Sequence, residues 1–301
     1  MHKIAVSGAT GMIGAALVRR GIAQGFEMVC IVHRNSKRID NLPKAGPVTV
    51  LYADLPDYAS FNPGIENCEA FIHLAWDKTA GAGRDDADIQ ARNIQYTLDA
   101  VRLARRMGCD VFVGAGSQAE YGPVSCALRA DTPVNPESGY GIAKYAAGRL
   151  SKLLCEQLGM RQNWARILSV YGPLDGPHTL ISYVIDELKH GRSPELTACE
   201  QTWDYLYCDD AADALLAIAQ KGKNGAIYPL GSGQGRKLSE YIESIHKLVS
   251  PGVRINYGRR AYYPHQPMYL VGDISLLVSD TGWTPNWVFE NGVIAMLSSI
   301  L

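Results

Sequence analysis

Lys3-Ile4-Ala5-Val6-Ser7-Gly8-Ala9-Thr10-Gly11-Met12-Ile13-Gly14 decides the fold. A short apolar run ends in glycines three residues apart, and a segment of helical composition follows from Ala15 to Gln24 before stopping at Gly25. Strand, glycine turn and helix open a β-α-β unit. Such spacing tightens the turn, lets a pyrophosphate approach the backbone and lets the helix pack closely on the strand, while the helix N-terminus faces the negative charge. Between a strand and a helix the triplet reads as a dinucleotide turn rather than a merely structural one. Gly8, Thr10, Gly11, Met12, Ile13 and Gly14 are its expected contacts.

Working outward, a second strand over 28–33 ends in His33-Arg34-Asn35, where an acidic residue would normally meet a ribose diol. A basic residue there can pair with a 2′-phosphate and stack on adenine, so Arg34 and Asn35 point to NADP, with NAD as the alternative. The other reading of this stretch is a solvated basic loop, since Lys37 and Arg38 follow. A third strand over 48–52 leads to Asp54 and Leu55, where Asp54 could accept from an adenine amino group or simply form a turn. A fourth, over 70–75, ends in Trp76.

A long helix over 85–107, a strand over 111–115, a helix to about residue 158 and a strand over 163–170 complete the alternation. The pattern predicts an α/β protein with a doubly wound, open parallel sheet. Beyond Pro173 the regularity loosens, with helices expected over 180–190, 210–220 and 239–248 and extended segments over 205–208 and 226–230. Residues 251–267 are turn-rich and aromatic. We therefore expect a dinucleotide-binding domain over 1–172 and a smaller α/β substrate lobe over 173–301, with the chain crossing back between them.

Tyr140 and Lys144 stand four apart on a helix, which stacks a phenol and an ammonium on one face. A lysine beside a tyrosine favours the phenolate and makes an acid/base pair, although alone the spacing equally describes a phenol lying along a lysine stem. Ser117 ends the fifth strand, where its hydroxyl can reach the same cleft and hold a developing alkoxide. No Gly-x-Ser-x-Gly motif supports a serine hydrolase.

The totals set bounds. With 29 basic against 30 acidic residues and a net charge of −1, the chain lacks the basic excess of a nucleic-acid or membrane-surface binder, so a small-molecule partner is expected. Seven scattered cysteines with no Cys-x-x-Cys pair and no metal-ligand spacing read as reduced thiols in a cytoplasmic, soluble protein without a metal.

Gly8 to Gly14, Ser117 with Tyr121-Gly122, and Tyr140-Gly141-Ile142-Ala143-Lys144 together resemble the extended short-chain dehydrogenase/reductases, the family of nucleotide-sugar epimerases, dehydratases and ketoreductases. The resemblance continues through 166–173, 205–210 and Gly282-Trp283-Thr284-Pro285. It implies a Rossmann-type sheet, Tyr140 as general acid/base, Lys144 on the nicotinamide ribose, and Ser117 on the reacting oxygen. It also implies Leu74, Ala75, Ala115 and Leu168 along the cofactor channel, Asn93 as a helix-ordering residue near the site, and a homodimer built on the helices of 88–107 and Tyr140.

Departures from the family pattern narrow the reaction. Gln118-Ala119 replaces the Asp-Glu pair of sugar 4,6-dehydratases, Trp203 stands where many epimerases carry an arginine on the diphosphate, and Ser169 replaces a common asparagine. The combination looks most like reductases of nucleotide-linked 4-keto-6-deoxy sugars. Trp76, Gln118, Glu120, Ser169 and Trp203 are then the expected sugar contacts, with Gln118 and Glu120 reading equally as surface residues. The alternatives are an epimerase with tightly held NAD and a catalytically silent dinucleotide-responsive binding protein.

Overall fold

Consecutive residues of the central strands are apolar, and in the structure both faces are buried. The structure is a computed structural model that describes residues 2–263 and 266–299. The first half is β1 (Lys3–Ser7), α1 (Met12–Ala23), β2 (Glu27–Val32), β3 (Val48–Tyr52), β4 (Ala70–His73), α2 (Ala87–Arg106), β5 (Val111–Ser117), α3 (Gly139–Gln157) and β6 (Arg161–Ile167). Then come β7 (Ser169–Tyr171), α4 (Leu180–Lys189), β8 (Thr202–Trp203), β9 (Tyr205–Tyr207), α5 (Cys208–Lys221) and β10 (Ile227–Leu230). The chain ends with β11 (Arg236–Lys237), α6 (Leu238–Val249), β12 (Tyr269–Leu270), α7 (Ser275–Thr281) and α8 (Phe289–Ser299).

Seven strands form a parallel sheet in the order β10-β6-β5-β4-β1-β2-β3. Ile4 and Val6, Met28 and Cys30, and Ile72 face one side, where they join Ala16, Leu17 and Val18 of α1 and Ala211 and Leu215 of α5. Ala5, Val29, Ile31, Phe71 and Phe112 face the other, against Val101, Leu103 and Ala104 of α2 and Cys155 of α3. Period-2 alternation with both faces covered is why these strands read as nearly continuous apolar runs. Trp164 of β6 is accommodated because Gly114, Gly116 and Gly148 have no side chain: a Cβ on any of them would overlap its ring.

One expectation needs adjustment. The strand expected over 163–170 is broken at Leu168, whose N–H donates to the Leu230 carbonyl; beyond it the chain leaves the large sheet, and β7 pairs with β9 instead. After residue 173 part of the chain lies on the large sheet: α5 packs on α1, and β10 closes the sheet beside β6. The three-stranded β11-β8-β12 sheet, with α4 and α6 packed on each other, lies outside that layer. Of the turn-rich 251–267 stretch, 264 and 265 fall outside the described residues.

Candidate functional site

The carboxyl ends of β1, β4, β5 and β6 converge on a cavity of about 310 Å³. It is lined by Gly8, Gly11, Met12, Ile13 and Gly14 of the turn, with Leu74, Trp76, Ala115, Ser117, Tyr140, Lys144 and Leu168. Gly8 adopts φ +73°, and a Cβ there would sit 2.8 Å from the Ala75 nitrogen. A Cβ on Gly14 would overlap the Gly8 carbonyl. The backbone therefore folds into a bare cradle at the start of α1, the arrangement a pyrophosphate requires. The Ser7 hydroxyl bonds the buried His73 Nδ1 at 2.7 Å, and the Ala75 N–H reaches the same hydroxyl at 3.4 Å, tying β1 to the segment after β4. Burial holds His73 neutral, with its pKa pushed down to about 3.

The residues expected to meet the nucleotide lie at the tips of β2 and β3. Arg34 donates from its backbone N–H to Asp54 Oδ1 at 2.9 Å, and its Nη1 lies 3.3 Å from Asp54 Oδ2 and 2.5 Å from Asp57 Oδ2. The arginine expected to meet a phosphate is thus already balanced by two carboxylates. Asp54 spends both its oxygens on that arginine rather than facing a base freely. Asn35 and Leu55 flank this ion cluster; the Asn35 N–H donates to His33 Nδ1. The Thr10 carbonyl accepts from Asn41 Nδ2, which fixes the glycine turn to the segment after β2.

Tyr140, Lys144 and Ser117 are respectively 9%, 3% and 8% exposed. Lys144 Nζ donates to the Ala115 carbonyl at 2.7 Å and sits 3.7 Å above the centre of the Trp76 ring. Burial pulls this ammonium down from the ordinary lysine value of 10.5 to about 7. Burial also raises the Tyr140 phenol above its ordinary value, opposed by the Ser117 hydroxyl and the Arg84 guanidinium. Lys144 Nζ is thus held against a carbonyl and an indole, 5.7 Å from the centre of the phenol ring.

A lysine whose folded pKa lies below its unfolded one destabilises the fold while it is charged, and stability recovers as pH rises through the window from about 7 to 10.5. Lys144→Met should therefore stabilise the cofactor-free protein by about 1–4 kcal/mol near neutral pH. The gain should fade toward pH 10.5; a urea-denaturation series across that range checks it.

The other sequence candidates divide. Trp76 belongs to the site: its Nε1 donates to Gln90 Oε1 at 2.9 Å, and its ring meets Tyr140 edge-on. Glu120 does not. It is fully buried, with Oε1 accepting from the Ser117 N–H and from Trp164 Nε1, and Oε2 accepting from Arg166 Nε at 2.7 Å. It is the support beneath Ser117 rather than a sugar contact. Gln118 lies in the short turn after β5, half-buried. Ser169 accepts from Trp203 Nε1 at 2.8 Å, so those two are partners of each other.

Trp203 lines a second cavity of about 660 Å³, with Tyr183, Glu195, Gln201, Tyr205, Arg260 and Tyr263. Leu168, on the first cavity, packs in one apolar cluster with Trp203. Among the described residues there is no cluster of metal ligands, and no helix is long and apolar enough to cross a membrane.

Sequence reasoning singled out Asn93 but missed Gln90, its partner in a clamp on the segment after β4. Gln90 Nε2 donates to the Lys78 and Gly83 carbonyls at 3.1 and 2.8 Å. Asn93 bonds both the N–H and the carbonyl of Asp77, at 3.0 and 2.9 Å. The available signal was polar: Gln90, Asn93 and Thr97 occupy the buried stripe of α2, where apolar residues are the rule.

Comparisons with known proteins agree with this geometry. The chain is 25% identical to CDP-abequose synthase of Salmonella muenchen over 98% of its own length and 97% of the relative's. It is 28% identical to a putative UDP-glucose 4-epimerase of Methanocaldococcus jannaschii, covering 96% and 95% of the two chains. Among solved structures, UDP-N-acetylglucosamine 4-epimerase of Methanobrevibacter ruminantium M1 superposes with a TM-score of 0.90 at 21% identity, over 99% of this chain and 98% of that one, which establishes a shared fold. The profile of the NAD dependent epimerase/dehydratase family matches residues 4–231, spanning the glycine turn, Ser117, Tyr140, Lys144 and the returning strand β10. The chain therefore belongs to that family, the extended short-chain dehydrogenase/reductases, and is an NAD(P)-dependent enzyme with a Rossmann-type sheet.

Proposed function

We propose that the protein is an NADPH-dependent reductase of a nucleotide-linked 4-keto-6-deoxy sugar. The observation that carries this reading is the composition of the smaller cavity: Ser117, Tyr140 and Lys144 meet beside the glycine cradle, and no Asp or Glu is among its lining residues. A proton can be given to a ketone there, whereas the carboxylate acid and base of a water elimination are missing.

The cradle of Gly8, Gly11 and Gly14 fits a pyrophosphate, and Leu74, Ala75, Ala115 and Leu168 flank the space beyond it. When bound, the dinucleotide supplies the hydride. The chain's own residues manage the oxygen: Ser117 donates to the carbonyl oxygen, and Tyr140 transfers its phenolic proton to it. In this reading Lys144 bonds the nicotinamide ribose. The larger cavity, with its aromatic walls and Arg260, has room for the substrate's nucleotide, and the Leu168–Trp203 pair stands where a ligand spanning both cavities would pass.

A relative named dTDP-4-dehydro-6-deoxyglucose reductase, from Escherichia coli, supports the reductase class at 21% identity over 99% of this chain and 97% of its own. Exposed Ile142, Leu150 and Leu153 on α3 support a homodimer through that helix. The epimerase reading keeps one specific point in its favour: Asp54 and Asp57 already neutralise Arg34, so an added 2′-phosphate has to compete for that cation.

The test is NADPH or NADH consumption on a panel of nucleotide-linked 4-keto-6-deoxy sugars, with the cofactor content of the purified protein measured alongside. Net NADPH oxidation with one panel member is expected. Stoichiometric NAD in the isolated protein, with hexose interconversion and no net oxidation, would replace the reductase by the epimerase. Cofactor binding with no turnover of any kind would leave the silent binding protein.

A further inference from the structure

The short helical turn Gly81–Arg84, between β4 and α2, carries a cation to the phenol. The Arg84 guanidinium carbon lies 4.4 Å from the centre of the Tyr140 ring, and its Nη1 donates to the Thr79 carbonyl at 3.2 Å. The turn is held from two sides. Gln90 and Asn93 pin the backbone of Asp77, Lys78 and Gly83 to α2. Asp85 Oδ1 accepts from the Gly139 N–H at 2.9 Å, joining the turn to the start of α3, where a Cβ on Gly139 would lie 3.1 Å from the Arg84 carbonyl. Arg84 is thereby set against the ring by the same fold that sets Tyr140.

The charged and polar groups around the phenol come from three elements. The turn supplies Arg84, α3 supplies Lys144, and β5 with its following turn supplies Ser117 and Glu120. Glu120 is balanced by Arg166. Of the two cations, Arg84 is nearer the ring and, unlike a lysine, does not lose its charge on burial. A phenolate spreads its negative charge into the ring, so a cation over the face stabilises it more than the neutral phenol. Lys144, drawn down to about 7 and committed to the Ala115 carbonyl, is poorly placed for that task.

We propose that Arg84 is a positioning residue for Tyr140, a permanent cation on the ring face that lowers the proton affinity of the phenol and so offsets its burial. This rests on Tyr140 being the proton donor of the proposed reduction, but its test needs no substrate.

Protein labelled with 13C at the tyrosine ζ carbon is titrated with and without NADP+, and the Tyr140 signal is assigned by its loss in Tyr140→Phe. Arg84→Gln should raise the phenol's proton affinity roughly tenfold. Arg84→Lys should lie between it and the wild type, and NADP+ affinity should be unchanged in both variants. Equal titration of Tyr140 in wild type and Arg84→Gln overturns the proposal. So does a wild-type signal that stays protonated to the alkaline limit of the folded protein, while Arg84→Met confirms that the charge rather than the side-chain volume is responsible if it behaves as Arg84→Gln. A silent sugar panel alongside a shifted titration counts against the reductase reading and leaves Arg84 in its role.

Discussion

Tyr140→Phe should lower turnover by about 10²–10⁴-fold while cofactor affinity stays at the wild-type level. The substitution removes one oxygen and keeps the ring, which meets Trp76 edge-on at 6.0 Å and lies under the Arg84 guanidinium. Packing of α3 against the β4–α2 segment therefore survives, and the loss falls on the proton transfer. Ser117→Ala should cost less, because the phenol can still protonate the carbonyl oxygen without the second donor. The checks are kcat on the responsive sugar and NADPH Kd by fluorescence. Wild-type kcat in Tyr140→Phe would remove this phenol from the chemistry.

A second large effect lies beneath the site. Glu120→Ala should destabilise the fold by about 3–5 kcal/mol, because it strands a buried arginine. The Glu120 and Arg166 side chains are 1% and 3% exposed, and Arg166 Nη1 has no acceptor among the described residues. The guanidinium also stacks 4.4 Å from the centre of the Tyr121 ring, so it cannot swing to water without unpacking the wall behind β5. The Ser117 N–H and the Trp164 indole N–H lose their acceptor as well. Adding Arg166→Met to Glu120→Ala should recover a large part of the loss, since no charge is then left unpaired. Urea midpoints for the two singles and the double measure the coupling. Equal midpoints for Glu120→Ala and the double variant would mean that the guanidinium finds solvent on its own.

The elements that could be read from the sequence are those with a local cause. The glycine turn, the two-faced apolar strands and the Tyr140 helix follow from spacing and from residues whose backbone preferences are strong. The course of the chain after Leu168 did not, because β7, β8, β11 and β12 are two or three residues long and exist only through partners far away in sequence. From the sequence alone Glu120 reads as a sugar contact or a surface residue, because nothing local to it shows a partner. The cation that balances it, Arg166, lies on a neighbouring strand, and that pairing is tertiary information. Arg34 was legible as a basic break at the end of β2, but its engagement with Asp54 and Asp57 depends on β3 lying beside β2. Arg84 carried no signal at all: its meaning arises where two distant segments meet.

The returning strand sets an order of events during synthesis. β10 supplies the sheet's edge next to β6, yet it leaves the ribosome about sixty residues after β6, and α5, which covers α1, emerges between them. Until then the side of α1 that α5 covers and the open side of β6 have no native partner. A nascent chain halted near residue 172 holds the glycine cradle, Ser117, Tyr140 and Lys144, yet presents an unpaired edge and an apolar helix face, the combination that recruits chaperones and invites aggregation. The half that carries the glycine cradle is thus finished as text long before it can be finished as a fold.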